Sequence, residues 1–299
     1  MTRQRYPPRL TYPYYAPAET LPAPLPTVPE ILASEEVFPC IFQKRTIRKV
    51  GDHFIVKHGD IKLDEADNMH LVAWSCGDRV LVPKLYAAFH DEDTGANFIV
   101  MEYVHGKSME SLWTELGPVG RHRVATKLRK QFQSLRDMPA EGYYGRHGRR
   151  PYDDIFLGSD TLPCGPFPSE FLLNQAFFRR YVFLHPEVAE GRGTFYRDRV
   201  FPMVMTGHKP VFTHGDLQAK NILVRDSDGA PVLIDWECAA WYPEYWEYTN
   251  ALWTSRRWGD DWFRFVGLCL KEYVVEFKCM ENLLDDLLDA PRPGDPGTS

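Results

Sequence analysis

The stretch FTHGDLQAKNILV, from Phe212 to Val224, places His214, Asp216 and Asn221 between two apolar runs. Side chains of these types either satisfy the backbone of their own loop or hold a metal and move a proton. The continuation, NILVRDSDGAPVLIDW, carries an Asp-Ser-Asp-Gly turn between two β-branched runs, which is a hairpin signal. Such a hairpin folds its ends together, so Asp235 returns to the mouth that Asp216 and Asn221 occupy. Magnesium takes oxygen ligands, commonly one or two carboxylates plus substrate phosphates. Asn221 and Asp235 supply such oxygens. Asp216, five residues before Asn221, can face the same space without being a ligand. It is then left to accept or orient the proton of a hydroxyl. His214 is read as packing and bonding the loop backbone in preference to transferring protons.

The elements that must position this loop follow from periodicity. From Phe38 to about Tyr103 the pattern is mainly strand-like. CIFQKRTIRKV and HFIVKHG flank a turn at Gly51-Asp52, and KLYAAFH and ANFIVMEYV flank DEDTG. Between the two pairs, Ala66, Met69, Ala73 and Cys76 fall at helical spacing and Gly77 terminates the run. From Ser108 onward helices dominate. Val124, Leu128, Phe132 and Leu135 share one face, and Pro168-Ser169-Glu170 starts a second helix. The Gly- and Pro-rich stretch between them reads as a long ordered loop. DDWFRFVGLCLKEYVVEFKCMENLLDDLLD enters the core.

The chain has 299 residues, 44% of them hydrophobic, and a net charge of −6. That length supports two lobes, and the acidic balance argues against nucleic acid, which needs a basic patch. No run approaches the roughly 18 apolar residues of a membrane helix. The N-terminus lacks the apolar core of a secretory signal. Its recurrent prolines predict an extended or disordered arm over residues 1–36, and APRPGDPGTS predicts a disordered tail over 289–299. Six cysteines without CxxC spacing fit reduced thiols in a cytoplasmic protein.

The spacing His-x-Asp-x-x-x-x-Asn followed by a hairpin to an Asp matches the catalytic loop of phosphoryl-transfer enzymes. HGDLQAKN with VLIDWE resembles the aminoglycoside phosphotransferase and choline kinase family of the protein-kinase-like fold. Within that family the resemblance is to members from filamentous fungi, also on the strength of YPEYWEY. It extends over about Val37 to Met280. It implies an α+β, bilobal fold with a small antiparallel-sheet N-lobe over 37–104 and a mainly helical C-lobe over 105–288. The N-lobe would bind nucleotide and the C-lobe would carry catalysis and the acceptor. The resemblance also implies that Lys57 in FIVKHG meets phosphate and that Glu65 in LDEADNMHLV pairs with Lys57. In FIVMEYVHG the backbone of Glu102 and Val104 would hold the adenine edge. Asp216 would be the catalytic base, and Asn221 and Asp235 the ligands of Mg2+. Gly51 is the one glycine in IFQKRTIRKVGDHF, so the phosphate cover is placed at Gln43-Lys44-Arg45 instead of a Gly-rich turn. Asp-Phe-Gly followed by Ala-Pro-Glu is missing, which argues against a conventional protein kinase.

The leading expectation is a Mg2+-dependent phosphotransferase that moves the γ-phosphoryl group of ATP or GTP to a hydroxyl of a small molecule. A non-catalytic nucleotide-binding scaffold on the same fold is the alternative. The short phosphate cover favours it, and the intact Asp216, Asn221 and Asp235 disfavour it. A metal phosphohydrolase would need several more His or Asp ligands than His214 and the two aspartates. Trp236, Trp241, Trp246, Trp253, Trp258 and Trp262 interleave with Glu237, Glu244, Glu247, Asp260 and Asp261. Aromatic faces beside carboxylates would suit a cationic acceptor, while packing of a helical lobe accounts for most of these tryptophans equally well. No nucleic-acid or membrane partner is expected.

Overall fold

The computed structural model describes residues 6–37, 45–153, 156–157, 164–255 and 261–288. The expected disordered tail, Gln43 and Lys44 of the expected phosphate cover, and Trp258 lie outside the described residues. The chain divides into two compact units, one of residues 1–135 and 219–237 and one of 136–218 and 238–299. The lobe boundary expected at residue 104 falls inside the first unit.

The first unit is built on a six-stranded antiparallel sheet. Its inner strands are β3 (Arg45–Val50), β4 (Phe54–Gly59), β5 (Leu85–Asp91) and β6 (Ala96–Glu102). With edge strands β1 (Tyr14–Tyr15) and β2 (Glu35–Glu36) the order is β1-β5-β6-β4-β3-β2. Gly51, at φ 57°, makes the left-handed turn between β3 and β4 that other residues resist. Successive side chains of a strand point to opposite faces. Phe54 and Val56 therefore enter a core with Tyr86, Ala87, Phe98 and Val100, and Lys57 leaves it for the other face. Helix α2 (Asp64–Cys76) buries Ala66, Met69, Leu71 and Val72 and ends at Gly77, φ 53°.

The described part of the arm, expected to be extended or disordered, forms short elements of its own. Its prolines lie outside ladder positions, where their missing N–H costs nothing. Tyr14 and Tyr15 pair with Ala88 and Ala87. Helix α1 (Val28–Ala33) starts on a Thr27–Glu30 capping box and drives Ile31, 0% exposed, into the sheet core. The apolar residues that periodicity could not assign are those that cover the sheet.

Strand β7 (Gly106–Ser108), the short helix α3 (Met109–Leu112) and helix α4 (Pro118–Arg136) continue this unit. The expected hairpin forms from β9 (Ile222–Arg225) and β10 (Pro231–Leu233), and β7 adds to it in the order β10-β9-β7. Gln131 on α4 accepts from Leu81 N at 2.9 Å and donates to Pro231 O at 2.6 Å. Lys127 donates to the Asp228 and Gly229 carbonyls. These bonds explain why helix and hairpin belong to the first unit.

In the second unit α5 (Glu170–Leu184) starts at Ser169, whose hydroxyl caps Leu172 N, and α6 (Phe201–Met203) is a single turn. Strand β8 (Pro210–Thr213) pairs with β11 (Ala240–Pro243). Helix α7 (Trp246–Ser255) follows, and the C-terminal apolar stretch forms two helices, α8 (Trp262–Cys269) and α9 (Val274–Leu288). Trp241, Trp246, Trp253 and Trp262 are buried, and Trp246 stacks on Tyr242 at 4.7 Å. No described helix is long and apolar enough to cross a membrane.

Packing of the arm into the core has a measurable consequence. Ile31→Ala should lower the unfolding free energy by about 2–5 kcal/mol in urea, the cost of truncating a buried aliphatic side chain. A loss below about 0.5 kcal/mol, typical of a surface position, would show that the arm does not belong to the core.

Candidate active site

The sheet and α2 bring two opposite charges together out of water. Lys57 is buried on β4, and its Nζ lies 2.7 Å from Glu65 Oε2 and 2.6 Å from Asp235 Oδ1. Burial lowers the pKa of such an ammonium, yet Glu65 and Asp235 outweigh it and raise Lys57 above the ordinary lysine value. Burial pushes the Glu65 carboxyl up, against the pull of Lys57. Lys57, Glu65 and Asp235, three of the residues singled out in the sequence, thus form one ion triad.

The hairpin delivers Asp235 to that triad. Ile222 pairs with Leu233, and Ile234 N donates to Asn221 O at 3.0 Å, so Asn221 and Asp235 flank the open end. Asp235 itself adopts a left-handed backbone, φ 67°, a conformation that Asp tolerates better than most residues. The next residue is pinned on both sides. The Trp236 indole donates to Leu233 O at 2.9 Å, and Trp236 O accepts from Asn68 Nδ2 on α2 at 2.8 Å.

A second ion pair, unforeseen in the sequence, adjoins the first. Arg45 Nη1 donates to both carboxylate oxygens of Glu237 at 2.9 Å, and its Nη2 lies 3.8 Å from Asp235 Oδ2. Glu65, Asp235 and Glu237 each offer an oxygen within 4.8 Å of the others. Three carboxylates here face two cations, and hard oxygen donors of this kind suit Mg2+. The donor set fits that ion. Glu237 was visible in the IDWE motif, two residues after Asp235, but its partner is 192 residues away.

The expected adenine edge lies on the same unit. Glu102 N donates to Lys84 O at 2.9 Å, Lys84 N donates to Glu102 Oε2 at 3.1 Å, and Tyr103 N donates to His53 O at 2.8 Å. Among the described residues the Val104 amide has no hydrogen-bond partner, which leaves a backbone donor for an adenine ring.

Asp216 belongs to the second unit, on the loop after β8. Its amide donates to His214 Nδ1 at 3.2 Å, and Gln218 Nε2 donates to Asp216 Oδ1 at 2.5 Å. Two residues whose role here the sequence reading did not foresee hold this loop. Buried Glu247 on α7 accepts from His214 N at 2.7 Å and from Gly215 N at 3.2 Å. Asn250 Nδ2, one turn further along α7, donates to Gly215 O. Gly215, φ 82°, must be glycine, since a Cβ there would lie 2.6 Å from Cys238 O. The Glu247–Asn250 spacing places both on one helix face, but nothing local announces what they grip.

Glu247→Gln keeps the shape but can satisfy only one of the two amides. Denaturant unfolding should show a loss of about 1–3 kcal/mol, the cost of a buried donor left without a partner. The His214 and Gly215 amides should exchange hydrogen faster. Unchanged stability and exchange would show that the carboxylate does not hold the loop.

The phosphotransferase enzyme family model matches residues 43–272, well over half of the chain. No curated protein sequence matches it significantly. Among solved structures, ADP-bound aminoglycoside phosphotransferase APH(2'')-Ib superposes with a TM-score of 0.57 at 14% identity, covering 88% of each chain. A point mutant of aminoglycoside 2'-phosphotransferase-IIIa in complex with GDP gives 0.53 at 17% identity, covering 86% of this chain and 80% of its own. At these identities the similarity establishes the fold, which is the α+β protein-kinase-like fold expected from the sequence. The extent of the family match settles the rest: the chain belongs to the phosphotransferase enzyme family.

Proposed function

We propose that this phosphotransferase moves the γ-phosphoryl group of ATP or GTP to a hydroxyl of a small molecule, with Mg2+, in the cytoplasm. The observation that carries the reading is the buried Lys57 ammonium held between Glu65 and Asp235, beside a cluster of carboxylates fit for a divalent ion. Lys57 would meet phosphate oxygens, with Glu65 fixing its side chain. Asp235, Asn221 and Glu237 would hold the metal, which when bound neutralises charge on the phosphates. The Val104 amide and the Glu102 backbone would hold the base.

Catalysis of this transfer is mainly positioning and electrostatics. The acceptor oxygen attacks the γ-phosphorus, the bond from phosphorus to the leaving nucleoside diphosphate breaks, and the hydroxyl proton passes to Asp216. His214 and Gln218 orient Asp216 for that contact. The two structural neighbours are named for aminoglycosides, and a cationic hydroxyl-bearing acceptor also suits a net charge of −6.

Asp216 and Asp235 should respond differently to substitution. Mg2+-nucleotide should stabilise the native protein by about 2.7 kcal/mol at a hundredfold excess over Kd. Asp235→Ala should remove most of that shift and the turnover with it. Asp216→Asn should leave nucleotide affinity nearly unchanged and lower turnover by about 10²–10⁴-fold, the usual contribution of a positioned base. Equal loss of nucleotide binding in both variants would contradict this division of roles. Nucleotide binding with slow hydrolysis indifferent to Asp216→Asn would identify a scaffold instead.

A further inference from the structure

The first five residues of α2 include three buried polar side chains, Glu65, Asp67 and Asn68, and each has a different partner. Glu65 meets Lys57 at 2.7 Å. Asn68 meets Trp236 O, next to Asp235, at 2.8 Å. Asp67 faces the N-terminal arm. Its Oδ2 accepts from Arg9 Nε at 2.8 Å, with Arg9 Nη2 at 2.7 Å, and its Oδ1 accepts from Leu10 N at 2.8 Å. Two residues on, Tyr12 OH donates to Leu63 O at 2.8 Å.

Leu63 precedes the helix and offers no side-chain cap. The Leu63 carbonyl takes the Ala66 and Asp67 amides, and the arm adds side-chain and backbone contacts to that turn. A side chain of Asp67's burial, 0% exposed, is costly without its cation. Deprived of Arg9, its carboxylate gains by reaching water. A helical turn moves as a unit, so any such shift carries Glu65, two residues away, off Lys57.

We propose that Arg9 is a positioning residue for the nucleotide site, holding α2 through Asp67 so that Glu65 keeps Lys57 aimed. The proposal rests on the reading in which Lys57 meets phosphate. The arm is then part of the phosphate-binding apparatus without touching the nucleotide. A regulator that displaced it would weaken nucleotide binding from a distance.

The test is binding of Mg2+-ATP and of adenosine to full-length Arg9→Gln, Arg9→Lys, Tyr12→Phe and Lys57→Met, with melting temperature and turnover on each. Arg9→Gln should raise Kd and KM for Mg2+-ATP by about tenfold, within the range of mutations that act through coupled contacts. Adenosine affinity, which does not draw on Lys57, should stay at the wild-type value, and kcat should fall less than KM rises. Arg9→Lys should restore most of the ATP affinity. Tyr12→Phe, a milder loss, keeps the question answerable should Arg9→Gln fold poorly, and it should shift ATP affinity in the same direction. A lowered melting temperature with an unchanged ratio of ATP to adenosine affinity in Arg9→Gln and Tyr12→Phe would overturn the proposal. Should Lys57→Met weaken ATP while those two variants do not, only the positioning role falls. Wild-type ATP affinity in Lys57→Met would instead overturn the reading of the nucleotide site.

Discussion

An ammonium withdrawn from water is tolerated only where opposite charge and hydrogen bonds replace its hydration, and Lys57 depends on two carboxylates from distant parts of the chain. Much of the first unit can be understood from that requirement. The register of β4 turns Lys57 away from the face where Phe54 and Val56 build the apolar core. Helix α2 must present Glu65, so its N-terminal end is fastened by Asn68 to Trp236 O and by Asp67 to the arm. The β9–β10 hairpin must end with Asp235 in a left-handed backbone, and Trp236 is anchored to hold it there. Removing either carboxylate would leave a buried charge only half-compensated.

The same arrangement gathers charge of both signs in one place. Three carboxylates and two cations in contact hold more negative than positive charge, which favours a divalent ion. Lys57 and Arg45 lie where anionic phosphates could draw on them. In the proposed reading those internal pairs would be exchanged for a ligand's charges. In the second unit the logic is different. The loop bearing Asp216 is held mainly through its backbone, by Glu247 and Asn250, so the position of the carboxylate is set by main-chain geometry.

What could be read from the sequence was local. The hairpin was legible because Asp-Ser-Asp-Gly separates two β-branched runs, and α2 was legible because Ala66, Met69, Ala73 and Cys76 recur at helical spacing and stop at Gly77. The spacing from His214 to Asn221 carried the resemblance to a phosphotransferase family, and the family match bears that resemblance out. Non-local features escaped. The arm's order depends on Ile31 entering a sheet formed by later residues, and its prolines suppress any periodic signal. Strands β8 and β11 pair without an intervening turn of their own. Arg45 and Glu237, or Glu247 and the loop amides, meet only once tertiary structure exists. The return of the Asp235 end to the Asn221 end was foreseen from the hairpin, and Ile234 N donates to Asn221 O there, whereas Asp216 lies on a loop of the other compact unit.

The most direct test is a crystal structure of the protein with Mg2+ and a non-hydrolysable ATP analogue. The account predicts the Lys57 ammonium against phosphate oxygens, Glu65 still paired with it, and the ion held by the carboxylate of Asp235 and the side chain of Asn221. Nucleotide bound elsewhere, or bound here with Lys57 still locked to Asp235 and no ion between protein and phosphates, would contradict it.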